Sequence, residues 1–230
     1  MINTFTFAGK NSWDDYRLVV EEIPTEEGGE KIVEDIQIPG RTGSLTIDTG
    51  AIRNVTRSYK VAFAGKGWIT EKMREIRSWL ALPGGYQVLR DTYDPKVYRL
   101  AKVKSLSDFE NIMEQYARGT IAFDCDPRRF LVAGSTPITA AGPVNNPGLP
   151  SRPRVSLTAA SGGTLVIGGT TITITTATTS VILDSEARTI EAGASAVSFA
   201  DFPVIPDGAS VITATGGVSV VSIIPRWWQA

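Results

Sequence analysis

The chain has 230 residues and a mass of 24.7 kDa, which is long for one small domain and points to two. Its 23 basic and 24 acidic residues leave a net charge of −1, so no electrostatic footprint for nucleic acid or an anionic membrane is present. The absence of histidine excludes Ser-His-Asp and Cys-His catalysis and imidazole-based metal sites, and a single cysteine, Cys125, excludes an internal disulfide.

The opening Met-Ile-Asn-Thr-Phe-Thr-Phe lacks a basic segment followed by an apolar one, so no secretory signal is expected. No apolar run reaches the roughly eighteen residues of a membrane-spanning helix, and synthesis and folding in a cytoplasm are expected. Charge divides the chain. Residues 1–134 hold 19 of the 23 bases and 19 of the 24 acids, whereas about half of residues 151–230 are Ala, Gly, Ser or Thr. Between them lie Pro137, Pro143, Pro147, Pro150 and Pro153. Proline removes backbone donors, so residues 135–150 read as a Pro/Gly-rich connection between domains at 1–134 and 151–230.

In the first half the dominant period is two. Phe5 and Phe7 alternate with Thr4 and Thr6, Leu18 and Val20 with Arg17 and Val19, and Ile36 and Ile38 with Asp35 and Gln37. Val55, Arg57, Tyr59, Val61 and Phe63 form the longest row, and Ile121, Phe123 and Cys125 another. Each row marks one face of a strand. Residues 24–35 are polar and acidic, which predicts a long exposed loop or a protruding hairpin. Pro39-Gly40-Arg41-Thr42-Gly43 is a tight turn carrying one cation. Ile69, Met73, Ile76 and Leu80 recur at helical spacing, with Thr70 as expected N-cap and Pro83-Gly84-Gly85 as stop.

The second half reads as β throughout. Val155 and Leu157, Leu165 and Ile167, Ile172 and Ile174, and Val181 and Leu183 alternate with small or polar partners. Gly168-Gly169 and Gly216-Gly217 are expected at hairpin turns. The face switch from Val218 and Val220 to Val221 and Ile223 predicts a bulge. Short, evenly spaced strands argue for an antiparallel sandwich.

Residues that could carry chemistry are few. The pairs Asp14-Asp15, Asp91/Asp94 and Asp124/Asp126 could serve as acid and base or hold a divalent ion, but turn and strand contexts favour structural roles. Gly65-Lys66-Gly67 lacks the spacing and the hydroxyl residue of a phosphate loop. Cys125 falls on the apolar face of its strand and reads as a small buried hydrophobe. Trp227 and Trp228 close the chain. With Tyr93 they are the residues on which a carbohydrate-binding module for cell-wall glycan would depend. A glycosidase would need two carboxylates across a cleft, and none of the five acids of the second half sits in an aromatic-rich segment.

Taken in order, several segments resemble the distal tail protein of long-tailed, non-contractile bacteriophages. They are Phe5-Thr-Phe7-x-Gly9, Ile36-x-Ile38-Pro39-Gly40-Arg41-x-Gly43-Ser44-Leu45, the helix ending at Pro83-Gly84-Gly85, and Asp91-x-x-Asp94-Pro95 running into Tyr98-Arg99-Leu100-Ala101. Ile121-Ala-Phe-Asp-Cys125-Asp-Pro127, Asp184-Ser185-Glu186, Phe202-Pro203-x-Ile205-x-x-Gly208 and Ile223-Ile224-Pro225-Arg226-Trp227-Trp228 complete the set. The resemblance implies a mainly β protein. Its N-terminal β-sandwich or split barrel would carry one helix and form a belt or ring, and its C-terminal half would be a galectin-like antiparallel β-sandwich. It further implies a non-enzymatic virion part without cofactor or metal, a homohexameric baseplate hub at the tail tip. Such a hub joins the tail-tube protein to tail-tip proteins for host attachment, with no nucleic-acid or membrane partner. Phe5, Phe7, Pro39, Gly40, Arg41 and Gly43 are the candidate ring contacts, together with residues 24–35, and Trp227 and Trp228 the candidate glycan or partner contacts.

Overall fold

The computed structural model describes residues 2–26, 29–65, 69–107, 110–113 and 116–230. Two compact units emerge, Met1–Arg128 and Arg129–Ala230. The boundary therefore precedes the proline-rich segment instead of lying within it.

In the first unit the strands are β1 (Phe5–Phe7), β2 (Lys10–Asn11), β3 (Leu18–Val20), β4 (Thr25–Glu26), β5 (Lys31–Gln37), β6 (Ser44–Ile52) and β7 (Val55–Ala64). Helix α1 (Ile69–Ala81) follows, then β8 (Gln87–Asp91), β9 (Val97–Leu106), β10 (Glu110–Met113) and β11 (Tyr116–Cys125). A curled antiparallel sheet runs β2-β1-β8-β9-β11-β7-β3, with β4 added to β7 and β10 to β11. Its spine is a ten-residue register from Val55 opposite Cys125 to Ala64 opposite Tyr116. The period-two rows predicted from sequence turn inward: Phe5, Phe7, Leu18, Tyr59, Val61, Phe63, Ile121, Phe123 and Cys125 are all buried.

One helix closes this sheet. Met73, Ile76 and Leu80 are buried as the spacing predicts, and Trp79, which the spacing did not single out, joins them. Trp79 stacks on Tyr16 at 4.3 Å between centroids and on Phe5 at 5.7 Å, and its indole N–H donates to the Phe7 carbonyl at 3.1 Å. The indole thus fills the space over β1 while its one polar atom stays satisfied. Thr70 is the second residue of the helix and not its cap. The side chain of Ile69, together with Lys66 and Gly67 of the glycine-lysine loop, lies outside the described residues, as do Glu27 and Gly28 of the acidic segment.

The second unit contains β12 (Arg129–Leu131), a short 3-10 turn (Val132–Ser135), β13 (Gly142–Asn146), β14 (Arg154–Ile167), β15 (Thr170–Ile174), β16 (Thr178–Asp184) and β17 (Thr189–Ala192). A second 3-10 turn (Ala194–Ala196), β18 (Val197–Ser198), β19 (Gly208–Ile224) and β20 (Trp228–Gln229) complete it. Strand order is β13-β19-β14-β15-β18, with β16 on β14 and β17 on β16. The expected connection at 135–150 is thus partly strand. Residues Gly142–Asn146 pair with Ile212–Gly208 of β19, and Pro143 sits where a sheet edge tolerates a missing donor.

The turn at Gly168-Gly169 joins β14 to β15 with φ of 56° and 83°, as the sequence predicts for a hairpin. Gly216-Gly217 behaves otherwise, because β19 runs through it unbroken. At that point β14 and β19 approach so closely that a Cβ on Gly163 would sit 2.2 Å from the Thr215 carbonyl oxygen. A Cβ on Gly216 would lie 2.5 Å from that of Gly162. These glycines permit two long strands to bend together. The predicted bulge is present: Ser156 faces Ser222 and Leu157 faces Val220, so Val221 is the extra residue.

Candidate assembly surface

Between β4 and β7 the chain leaves the sheet of the first unit and forms a separate two-stranded ribbon, β5–β6, closed by the Ile38–Gly43 turn. Part of the acidic segment read as a loop or protruding hairpin is therefore strand, Lys31–Asp35, and every residue of β5 is exposed. Gly40 and Gly43 adopt φ of 81° and 86°, a region that L side chains rarely enter, so the tight reversal depends on them. Pro39, Gly40, Arg41 and Gly43 are all exposed at the tip.

Cross-strand register sorts the ribbon into two faces. Val33 opposite Asp48, Asp35 opposite Thr46 and Gln37 opposite Ser44 make a mainly polar face, on which the Thr46 hydroxyl donates to Asp35 at 2.5 Å. Ile36 opposite Leu45 and Glu34 opposite Ile47, with Ile32 in the same alternation, make an apolar face with one charge. Ile32, Ile36, Leu45 and Ile47 are 38–43% exposed. A lone two-stranded ribbon with an exposed apolar face is marginal in water.

The root of the ribbon is anchored. Arg53 N–H donates to the Glu30 carbonyl at 2.9 Å, pinching the two strands together. Immediately before the ribbon, Glu26 pairs in register with Arg57 and accepts hydrogen bonds from Arg57 at 2.5 Å and from Arg99 at 2.6 Å and 2.8 Å. Arg57 also donates to Asp91 at 2.7 Å, and the Tyr59 hydroxyl donates to the same carboxylate oxygen at 2.8 Å. Burial pushes the Asp91 carboxyl up, but the Arg57 charge and the hydrogen bonds from Tyr59 and Arg57 outweigh it and hold the group below its ordinary value. Burial in turn raises Tyr59 well above the usual phenol range, so it remains a donor. Sequence reading did not find this network, although Arg57 stands in the middle of an apolar strand row, which is its signal.

The remaining candidates fall in several places. Phe5 and Phe7 are 1% and 0% exposed, and β1 is flanked on both sides by β2 and β8. Their assignment as ring contacts is corrected: the unit's own core consumes both side chains. Asp15 accepts from the Asn11 N–H, and Asp91 accepts from the N–H groups of Tyr93 and Asp94, as turn residues do. Asp124 meets Lys102 at 3.2 Å and Asp126 meets Arg128 at 2.8 Å. Cys125 is fully buried, and burial pushes its thiol up to about 12 against the charges of Arg99 and Arg57, which matches the hydrophobic role read from the sequence. Among the described residues no group of three or more His, Cys, Asp or Glu is placed to hold a metal ion, and no helix is long and apolar enough to cross a membrane.

Trp227 and Trp228 are both half-buried. Trp227 packs against the core of the second unit, and Trp228 pairs with Phe130 while its indole N–H donates to the Pro150 carbonyl at 3.0 Å. Tyr93 packs against the core of the first unit. A bidentate pair joins two motifs distant in sequence, Arg226 donating to both oxygens of Asp184 at 2.7 Å. Hydrogen bonding from Arg226, outweighing burial, lowers the Asp184 pKa from 3.8 to about 2. A group depressed in the folded state stabilises above its unfolded pKa and loses that contribution as pH falls through the folded one. Asp184→Asn is expected to cost roughly 2 kcal/mol at neutral pH. It is also expected to make the fall in thermal midpoint between pH 4 and pH 2 smaller than that of the parent chain, with calorimetry across that range as the check.

No protein-family model matches the sequence, and no curated protein matches it. Among solved structures the chain is similar to the SPP1 Dit protein, described as a paradigm of the hub adsorption apparatus in phages infecting Gram-positive bacteria. That likeness covers 97% of this chain and 98% of the other at 14% identity, with a TM-score of 0.69. Chains of the phage p2 baseplate in its activated conformation, with Sr and with Ca, match over 97% of this chain and 98% of theirs. Their identities are 9% and 10%, with TM-scores of 0.53 and 0.54. At these identities the likeness establishes the fold, which extends over both units.

Proposed function

We propose that this chain is a non-enzymatic hub of a bacteriophage tail tip, in which copies close into a ring, six-fold on the sequence resemblance, and join the tail tube to the tail-tip and host-recognition proteins. The observation that carries the reading is the exposed ribbon β5–β6, an apolar-faced pair of strands that needs a covering surface its own unit does not supply. The end-to-end likeness in fold to the SPP1 Dit protein supports the same reading. Residues 1–128 would form the ring and 129–230 the galectin-like outer domain, assembled in a bacterial cytoplasm and carried in the virion. A ring built from one repeated surface pair is a heterologous contact that closes on itself, so association is the product of the fold and bond-making chemistry is not required.

Light scattering after size exclusion, with negative-stain imaging, tests the proposal. A closed ring is expected, either from the chain alone or on adding the adjoining tail protein. A strict monomer from micromolar to hundred-micromolar concentration under both conditions would overturn it.

A further inference from the structure

We propose that the groove between the C-terminal half of α1 and the open edge of β9 seats the apolar face of β5–β6 from a second copy of this chain. The inference rests on the hub reading and names the surface that the ribbon meets. The registered pairing of β8 with β9 stops at Gln87 opposite Ala101, and beyond that point a cavity of about 540 Å³ opens along Lys102–Leu106. Leu80, Val103 and Leu106 supply an apolar lining, and the charged residues that line it, Arg77, Lys102 and Lys104, are all cationic.

Dimensions and charge both match the ribbon. Ile32 to Ile36 and Lys102 to Leu106 each span four strand steps, about 13 Å at 3.3 Å per residue. The apolar face of the ribbon carries Glu34 among Ile32, Ile36, Leu45 and Ile47, so one carboxylate is presented within an apolar surface. The groove presents cations around an apolar lining. Lys102 already meets Asp124 at 3.2 Å but is half exposed, and Lys104 is held by a neutral hydroxyl, donating to Thr56 at 2.8 Å. An incoming carboxylate is therefore complementary to the site, and the chain itself contains a ribbon of the right length that carries one. Ribbon and groove are different surfaces of one unit, so each copy would give its ribbon to one neighbour and accept one from the other, as ring closure requires.

The experiment uses the full-length chain under conditions in which the parent assembles. Chains carrying Ile36→Cys are mixed with chains carrying Val103→Cys and oxidised; Cys125 is wholly buried and stays silent. A disulfide-linked pair is expected only in the mixture. In parallel, Glu34→Lys and Lys104→Glu are each expected to weaken association at least about ten-fold, and their combination in one chain to recover it. Thermal midpoints verify that each variant folds. Rings that assemble like the parent yet yield no cross-link, or a Lys104→Glu chain that associates like the parent, would overturn the groove. If that happens while substitutions on the apolar face of the ribbon still abolish the ring, the hub reading stands and only the docking site falls. A parent chain that never assembles removes both.

Discussion

Exchange of Ile36 for lysine together with Leu45 for glutamate is expected to reduce the proposed ring to monomers while moving the thermal midpoint by no more than about 2 °C. The two residues face each other across β5 and β6 and are 39% and 38% exposed. Their replacements carry opposite charges, so the cross-strand pair stays favourable and the ribbon keeps its register. What is lost is the apolar face. Each side chain forfeits roughly 1 kcal/mol of further burial at a contact, and each new charge must be desolvated, so association through one interface should weaken at least about 100-fold. The loss repeats at every interface of a ring. Light scattering and calorimetry on the same sample check it. A chain that still assembles, or one that unfolds, contradicts the account.

Arg57→Ala is expected to lower the unfolding free energy of the first unit by about 3–5 kcal/mol. The guanidinium lies between Glu26 and Asp91, with side-chain exposures of 12%, 16% and 7%, and its removal leaves two nearly buried carboxylates short of a partner. Tyr59 still donates to Asp91 and Arg99 still donates to Glu26, so the fold should persist at reduced stability. Asp91→Asn in the same background should cost much less than it does in the parent, because the carboxylate has already lost its cation. The pH dependence has a definite sign. The Asp91 carboxyl is depressed in the folded chain, so its contribution is present above the ordinary carboxylate pKa and disappears as pH falls through the lowered value. Arg57→Ala should flatten that acid limb. Urea titrations of both chains at pH 7 and pH 3 measure the two effects. Equal stabilities at pH 7 would refute the network's role in anchoring the ribbon root.

Much of the architecture was legible because burial imposes a period. Val55 to Phe63, Ile121 to Cys125 and the paired rows of the second half could be assigned to inward faces from alternation alone, and the helix from its spacing of four, three and four. The Val221 bulge showed itself as a change of face within one run. The ribbon was legible in part. Its glycine-arginine turn and acidic arm pointed to something protruding, but alternation does not reveal whether a face is covered, so Ile36 and Leu45 looked like any half-buried pair. The same ambiguity made Phe5 and Phe7 look available for a ring contact. Nothing in Phe-Thr-Phe shows that β1 lies between two strands beneath Trp79.

The sequence by itself determined the mainly β class with one helix, the buried face of each long strand, the buried state of Cys125 and the turn at Gly168-Gly169. These depend on local conformation and on the period of apolar residues, both of which are written in neighbouring positions. Tertiary structure alone decided where the first unit ends, that Gly142–Asn146 becomes a strand, and that Gly216 lies within a bend. It also decided that Glu26, Arg57, Asp91 and Arg99 share one buried network, and that the groove beside β9 is lined with cations. Each of these depends on groups tens of residues apart being brought within a few ångströms. Side-chain chemistry permits such contacts, but only the closed chain selects which of them form.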